Sequence, residues 1–212
     1  MLRYLYADQL KHHPKLSHQM FCDRADQFKT RLNWDVTVNA CGHERDGYDE
    51  INPLYVIWET PQGDHGGSMR FLPTTGPVMV NDHFDHLTQA AQFSSPLVWE
   101  CTRFCLNRDA PRQVAAGLML SGFEVMAGFS VRHIVGVFDA RMIRIYRKIG
   151  HSPQVIGSDG TGRDQISVGL WEFDRASQAR VAQRAGVSPA TSRRWFEQSF
   201  PHKTSLPIAQ AG

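Results

Sequence analysis

The side chains with chemistry to offer gather in the first half of this 212-residue chain. Arg24, Phe28 and Arg31 recur at i, i+4 and i+7, so a helix would carry them on one face. That face mixes two cations with an aromatic ring. The segment that follows supplies Trp34, Asp46 and Asp49, and Arg70, Glu100 and Arg103 come further along. The acids can offset the arginines and form one mixed-sign cluster. Such a cluster is either a site for a charged ligand or a structural ion-pair network. For the helix face alone, a solvated charged surface with Phe28 dipping into the core is the commoner arrangement. Neither a GxSxG elbow nor a paired Cys/His signature is present, so no side chain declares itself a nucleophile.

The remaining candidate ligands are sparse. Cys22, Cys41, Cys101 and Cys105 form no CxxC and read as buried or half-buried thiols, with Cys101 and Cys105 on one face of a strand. His83 and His86 can share one side of a helical turn, but no further ligands stand beside them, and no metal is expected.

These residues need elements to position them. Leu16, Met20, Phe21, Phe28 and Leu32 recur at helical spacing and predict a helix over about 17–32. Residues 54–60 and 67–72 read as a hairpin across PQGDHGG. Residues 73–96 read as a long loop with one short helix. LVWECTRFCL, 97–106, reads as a central strand, followed by a buried helix over 112–129 and a second buried strand over 131–138. Asp139 caps a short helix ending near Gly150, a strand pair follows at 153–157 and 165–173, and a helix pair occupies about 175–200. Glu100 and Arg103 are three apart, so in a straight strand they face opposite ways. If both serve one site, a β-bulge must lie between them. The whole is an α/β mixed sheet with helices on both faces, a single domain over 1–212.

Composition sets outer bounds. Apolar residues make up 42% and charged residues 21%, a globular balance, and a net charge of +2 does not by itself imply nucleic acid or membrane. No apolar run reaches 18 residues and no secretory leader pattern opens the chain, so a cytoplasmic location is expected.

The stretch Arg24-x3-Phe28-x2-Arg31-x2-Trp34-x-Val36, then seven residues, then Glu44-x-Asp46-x-Tyr48-Asp49, resembles the signature of the LuxI-type acyl-homoserine lactone synthases in every spacing. Arg70, Phe84, Glu100 and Arg103 also fall where that family carries characteristic residues. The specific match covers roughly residues 20–105. One departure is Asp23, where the family usually has an apolar residue.

The resemblance implies a fold similar to the GNAT acetyltransferases and a two-step reaction. The α-amine of S-adenosylmethionine attacks an acyl thioester, and its carboxylate then closes a lactone and releases methylthioadenosine. The substrate supplies both nucleophiles. On this reading Glu100 is the candidate base, Arg24, Arg70 and Arg103 are candidates to hold the carboxylate, and Trp34 and Phe28 can meet the sulfonium by cation–π contact. Asp46 and Asp49 complete the charged cluster, and Phe84 joins the substrate-binding set. Backbone N–H groups beside a break in the central strand would hold the thioester oxyanion. No cofactor beyond the S-adenosylmethionine substrate is implied.

For the acyl side, the junction NRDAPRQVAAGL lacks the Gly-x-Gly turn that cradles coenzyme A pyrophosphate, which suits a donor on acyl carrier protein more than acyl-coenzyme A. Arg132, Arg141, Arg144, Arg147 and Lys148 form a basic segment. Arg144, Arg147 and Lys148 could dock the acidic carrier, or belong to an ordinary solvated face. Val98, Leu118, Met119, Phe123, Met126 and strand 131–138 could line an acyl tunnel. In the family that this chain resembles, a threonine in this strand tends to accompany 3-oxo chains; residues 131–138 contain no Ser or Thr, so the resemblance leans towards an unsubstituted chain or some other acyl group. Two rival functions stand beside this one. The first is a GNAT-like N-acyltransferase on another amine. The second is a DNA-binding regulator, because ARVAQRAGVSPATSRRW, 179–195, is similar to a helix-turn-helix.

Overall fold

The structure is a computed structural model and describes residues 1–201. Seven strands form one sheet in the order β1 (Leu2–Tyr6), β2 (Leu54–Glu59), β3 (His65–Pro73), β4 (Val98–Leu106), β5 (His133–Asp139), β7 (Ile166–Glu172), β6 (Gln154–Asp159). Every neighbouring pair is antiparallel except β4–β5, which is parallel. Helix α1 (Pro14–Arg24) covers one face and α3 (Arg112–Phe129) the other. Alternation along β2 sets this division: Tyr55 and Ile57 pack with Leu16, Met20 and Phe21 of α1, whereas Leu54 and Val56 join the larger core under α3. The short α2 (Met79–His83) sits on the α1 side, its Val80 against Leu72 and Val135. Helix α4 (Ala140–Ile149) runs from its Asp139 cap to Gly150 at φ 99°, as its sequence predicts.

Three features depart from the sequence reading. Strand β1 is absent from it; Leu2 and Tyr4 are fully buried against β2 and the C-terminal helices, but five residues give too short a period to read. The expected helix over 17–32 starts at Pro14 and becomes π-helical over Ala25–Arg31. The wider π turn breaks the shared face, so Arg24 and Phe28 stay buried at 1% and 2% exposure while Arg31 reaches solvent. Finally, Cys101 and Cys105 lie on opposite faces of the sheet. Cys101 Sγ lies 3.7 Å from Met69 Sδ on the α3 side, whereas Cys105 stands opposite Ser68 on the α1 side.

The third departure has the cause that the Glu100–Arg103 spacing required. β3 pairs Arg70 with Thr102, then Ser68 with Cys105, so β4 carries one extra residue. Arg103 occupies it at φ 53°, a left-handed conformation that costs a non-glycine residue of order 1 kcal/mol. The bulge reverses the alternation and turns Arg103 to the side of Glu100 and Thr102.

Beside the bulge the sheet splits. The β4–β5 ladder runs from Val98↔His133 to Glu100↔Val135 and stops there. Helices α5 (Arg175–Ala185) and α6 (Pro189–Ser199) meet at Gly186, φ 65°, with Ser188 capping α6. They pack on α3 and β1 through Val181, Ala182 and Phe196, whose ring meets Tyr4 edge-on at 5.1 Å. Ser192, in the middle of the segment a DNA-reading helix would present, is fully buried.

Candidate active site

A cleft of about 910 Å³ opens on the α1 side where β4 and β5 part. Phe28, Trp34, Asp46, Phe84, Glu100 and Arg103 line it, so six of the nine core positions proposed from the sequence share one wall. Arg24, Asp49 and Arg70 stand behind that wall at 2% exposure or less.

The arginines differ in what they have left to give. Arg24 donates from Nε to Glu44 at 2.6 Å and from both terminal nitrogens to Asp49 at 2.9 and 3.0 Å. Arg70 donates from Nε to Thr102 and from its terminal nitrogens to Asp46 and Asp49. Every nitrogen of these two guanidinium groups already has an oxygen partner, and both groups are buried. Their geometry makes them the frame of the site, where the sequence offered them as carboxylate ligands. Arg103 is different. Nη2 reaches Glu44 at 2.9 Å and Asp46 at 2.7 Å, but among the described residues Nη1 meets only the Met79 thioether at 3.5 Å. Its open end faces the cleft.

Glu44 holds this network together. It is fully buried and ties Arg24 of α1 to Arg103 of the bulge. The signature stretch contains Glu44, but its residue type and spacing alone do not mark it as part of the site. Asp46 and Asp49 form a reciprocal cap: Asp46 accepts from the Tyr48 N–H and Asp49 from the Asp46 N–H. Burial alone would raise the Asp49 carboxyl, but Arg24, Arg70 and the Tyr55 hydroxyl outweigh it and hold it well below the usual range. Asp46 is likewise lowered, because Arg70 and Arg103 overcome its desolvation. Both acids therefore stay ionised as partners of the arginines.

Glu100 is the exception. Its carboxylate is fully buried and accepts from the N–H groups of Met79 at 2.9 Å and Val80 at 2.7 Å. Desolvation pushes its pKa up to about 7, with those two backbone bonds acting in the other direction. No arginine pairs with it directly among the described residues. An acid poised near neutrality in a cleft is suited to exchange protons.

The aromatic wall is ordered by the π-helical turn. Trp34 N donates to the Phe28 carbonyl at 2.8 Å, and the two rings stack at 5.1 Å and 11°. Arg103 lies over the Phe28 ring at 5.4 Å. Trp34 is 40% exposed and presents its outer face to the cleft. Asp23 also finds a purpose: it pairs with buried His65 on β3 at 2.6 Å and accepts from Asn107.

On the α3 side of the same split lies a narrower cavity of about 60 Å³. Met119, Phe123, Met126, Ile134, Gly136 and Val137 line it, as the sequence suggested, with Phe104, Tyr146, His151 and Trp171. Val98 packs on the opposite face with Leu72, and Leu118 lies in the core under α3, so neither lines it. Two buried atoms of its lining, His151 Nε2 and Trp171 Nε1, have no hydrogen-bond partner among the described residues. Arg144, Arg147 and Lys148 are exposed on α4 and do not themselves line the cleft. Arg141 and Arg163, which the sequence did not single out for the site, border the cleft mouth.

A family model described as autoinducer synthase matches residues 7–181. An acyl-homoserine-lactone synthase of Rhizobium etli is 36% identical over 90% of this chain and 96% of its own length. One from Agrobacterium fabrum is 32% identical over 82% and 87%. Among solved structures, the coenzyme A-dependent acyl-homoserine lactone synthase MesI superposes with a TM-score of 0.78 at 20% identity, covering 90% of this chain and 98% of that one. LasI gives 0.73 at 22%, covering 86% and 94%. A putative N-acetyltransferase from Lactobacillus plantarum gives 0.53 at 9%, covering 82% and 99%, and shares the fold alone. A buried arginine–carboxylate frame, a poised glutamate on a bulged strand and matches along most of the chain agree: the chain belongs to the autoinducer synthase family.

Proposed function

We propose that this protein makes an N-acyl-homoserine lactone from S-adenosylmethionine and an acyl thioester. The observation that carries the reading is the pairing of two cavities across the β4–β5 split, one polar and aromatic, one apolar. The methionine end of S-adenosylmethionine enters the cleft. Its carboxylate meets the open end of Arg103, and its sulfonium meets the outer face of Trp34. Glu100, directly or through a water, accepts the amine proton. The acyl chain lies under α3, and its thioester carbonyl reaches the amine through the split, where the unladdered edge of β4 offers N–H groups to the oxyanion. Collapse of the oxyanion breaks the C–S bond, leaves the amide and frees the donor as its thiol. The carboxylate then attacks the carbon beside the sulfonium, closing the ring and releasing methylthioadenosine. Arg24, Arg70, Glu44, Asp46 and Asp49 act as positioning residues that fix Arg103 and the aromatic wall.

The absent Gly-x-Gly turn before α3 and the free basic face of α4 favour a donor carried by acyl carrier protein over free acyl-coenzyme A. The test is direct. The protein is incubated with S-adenosylmethionine and either acyl-carrier or acyl-coenzyme A donors, and methylthioadenosine and acyl-homoserine lactone are followed by mass spectrometry. Equal amounts of both products are expected, faster with the carrier. Thioester consumption without methylthioadenosine would identify an N-acyltransferase instead.

A further inference from the structure

A second cluster of ligating side chains lies on the far side of Arg24 and takes no part in this chemistry. His18 and Cys22 are one turn apart on α1. His43 approaches them from a tight turn in which the Asn39 side chain accepts from the N–H groups of Cys41 and His43, with Gly42 at φ 76°. His18 Nδ1 and His43 Nε2 are 2.8 Å apart, and Cys22 Sγ lies 3.9 and 3.7 Å from the two nitrogens of His18. One ligand atom from each residue falls within 4.8 Å of the other two. Tetrahedral zinc with ordinary bond lengths needs about 3.3 Å between two nitrogens and about 3.6 Å between nitrogen and sulfur. The His18–His43 separation would widen by about half an ångström and the thiol would move in by up to about an ångström, shifts open to exposed or half-exposed side chains. Among the described residues neither His18 nor His43 pairs with a carboxylate, so no ion pair competes for the imidazoles.

We propose that His18, Cys22 and His43 bind a zinc ion. Two imidazoles and a thiolate form a borderline-soft donor set that selects zinc over magnesium or calcium. The fourth position is open to water or to the exposed Cys41 thiol on the same turn. The site would staple the 39–43 turn to α1. The next residue is Glu44, whose N–H already donates to the Phe21 carbonyl and whose carboxylate links Arg24 to Arg103. The ion is thus structural and sits one residue from the frame of the cleft. The geometry needs no assumption about what the cleft binds.

Cobalt titration of the reduced, chelator-stripped full chain tests this. One equivalent of Co²⁺ is expected to give a thiolate-to-metal charge-transfer band with the intense ligand-field bands of tetrahedral cobalt, both abolished by excess Zn²⁺. Cys22→Ser should at least halve the charge-transfer band and Cys22→Ser/Cys41→Ser should remove it, and His43→Ala should weaken binding at least tenfold. Saturating Zn²⁺ should raise the melting temperature of the wild type by about 5 °C and leave the His18→Ala/His43→Ala variant unmoved. Absence of stoichiometric binding with all four thiols reduced would overturn the proposal, as would an unchanged cobalt spectrum in Cys22→Ser.

Discussion

Replacing Glu100 with Gln separates its two possible duties, proton exchange and anchorage of α2. In the folded protein its pKa rises from 4.5 to about 7, because burial disfavours the anion. The folded state therefore binds this proton more tightly than the unfolded chain does. The stabilisation linked to it is fully present below pH 4.5 and is lost as pH rises through about 7. At about 1.4 kcal/mol per unit, the interval amounts to about 3 kcal/mol. Gln has no such term, but it can accept only one of the Met79 and Val80 N–H groups and leaves the other short of a partner, a cost of about 1–3 kcal/mol. The variant should therefore be clearly less stable than the wild type at pH 5 and close to it at pH 8.5. Urea unfolding at the two pH values measures the difference. In catalysis, the base form is required, so wild-type kcat should fall as pH drops through about 7. The variant should lose about 10²- to 10⁴-fold in kcat together with that limb of the profile. A limb near 7 that survives in Glu100→Gln would belong to the substrate amine and refute the assignment. A stability difference independent of pH would refute the buried-anion argument behind it.

Other perturbations address the frame, the donor and the chain. Glu44→Ala leaves Arg24 and Arg103 without their shared partner in a buried setting and should cost about 3–5 kcal/mol in denaturant unfolding, far more than an exposed ion pair. Charge reversal at Arg144 and Arg147 together should raise KM for carrier-bound substrate about tenfold and leave KM for S-adenosylmethionine unchanged; an unchanged carrier KM removes α4 from the docking surface. The unpartnered Trp171 Nε1 and His151 Nε2 favour an acyl group that carries an oxygen over a plain alkyl chain of the same length, because a buried polar atom without a partner costs about 1–3 kcal/mol. Trp171→Phe should erase that preference in competition assays. A wild type that prefers the plain chain would show that water serves those atoms.

Much of the site was legible because its chemistry lies in fixed spacings. The Glu100–Arg103 interval demanded a bulge, and the strand has one, placed at Arg103 itself. The family resemblance ran through the residues that now line the cleft or frame it. Burial was not legible: nothing in Arg24 or Arg70 as letters distinguishes a guanidinium facing a ligand from one sealed behind a strand. That distinction depends on the Glu44–Asp49 segment closing over Arg24 of α1 and Arg70 of β3. The π turn was hidden for a similar reason, since the residue types of Ala25–Arg31 suit an α-helix as well as a π turn. His18, Cys22, Cys41 and His43 stood in the sequence as His-x3-Cys and Cys-x-His, two ligand-like pairs that only the turn at Asn39 brings together. His83 and His86, by contrast, gain no third ligand in the structure among the described residues.

Val137 is the residue that borders both cavities. On the proposed reading, the head of the product is built on one side of it and the tail is chosen on the other. Substitutions under α3, at Met119, Phe123 or Met126, would give the molecule a new tail without disturbing the charged frame. On that reading the tail can vary while lactone formation stays fixed, because the apolar contacts under α3 lie apart from the charged frame.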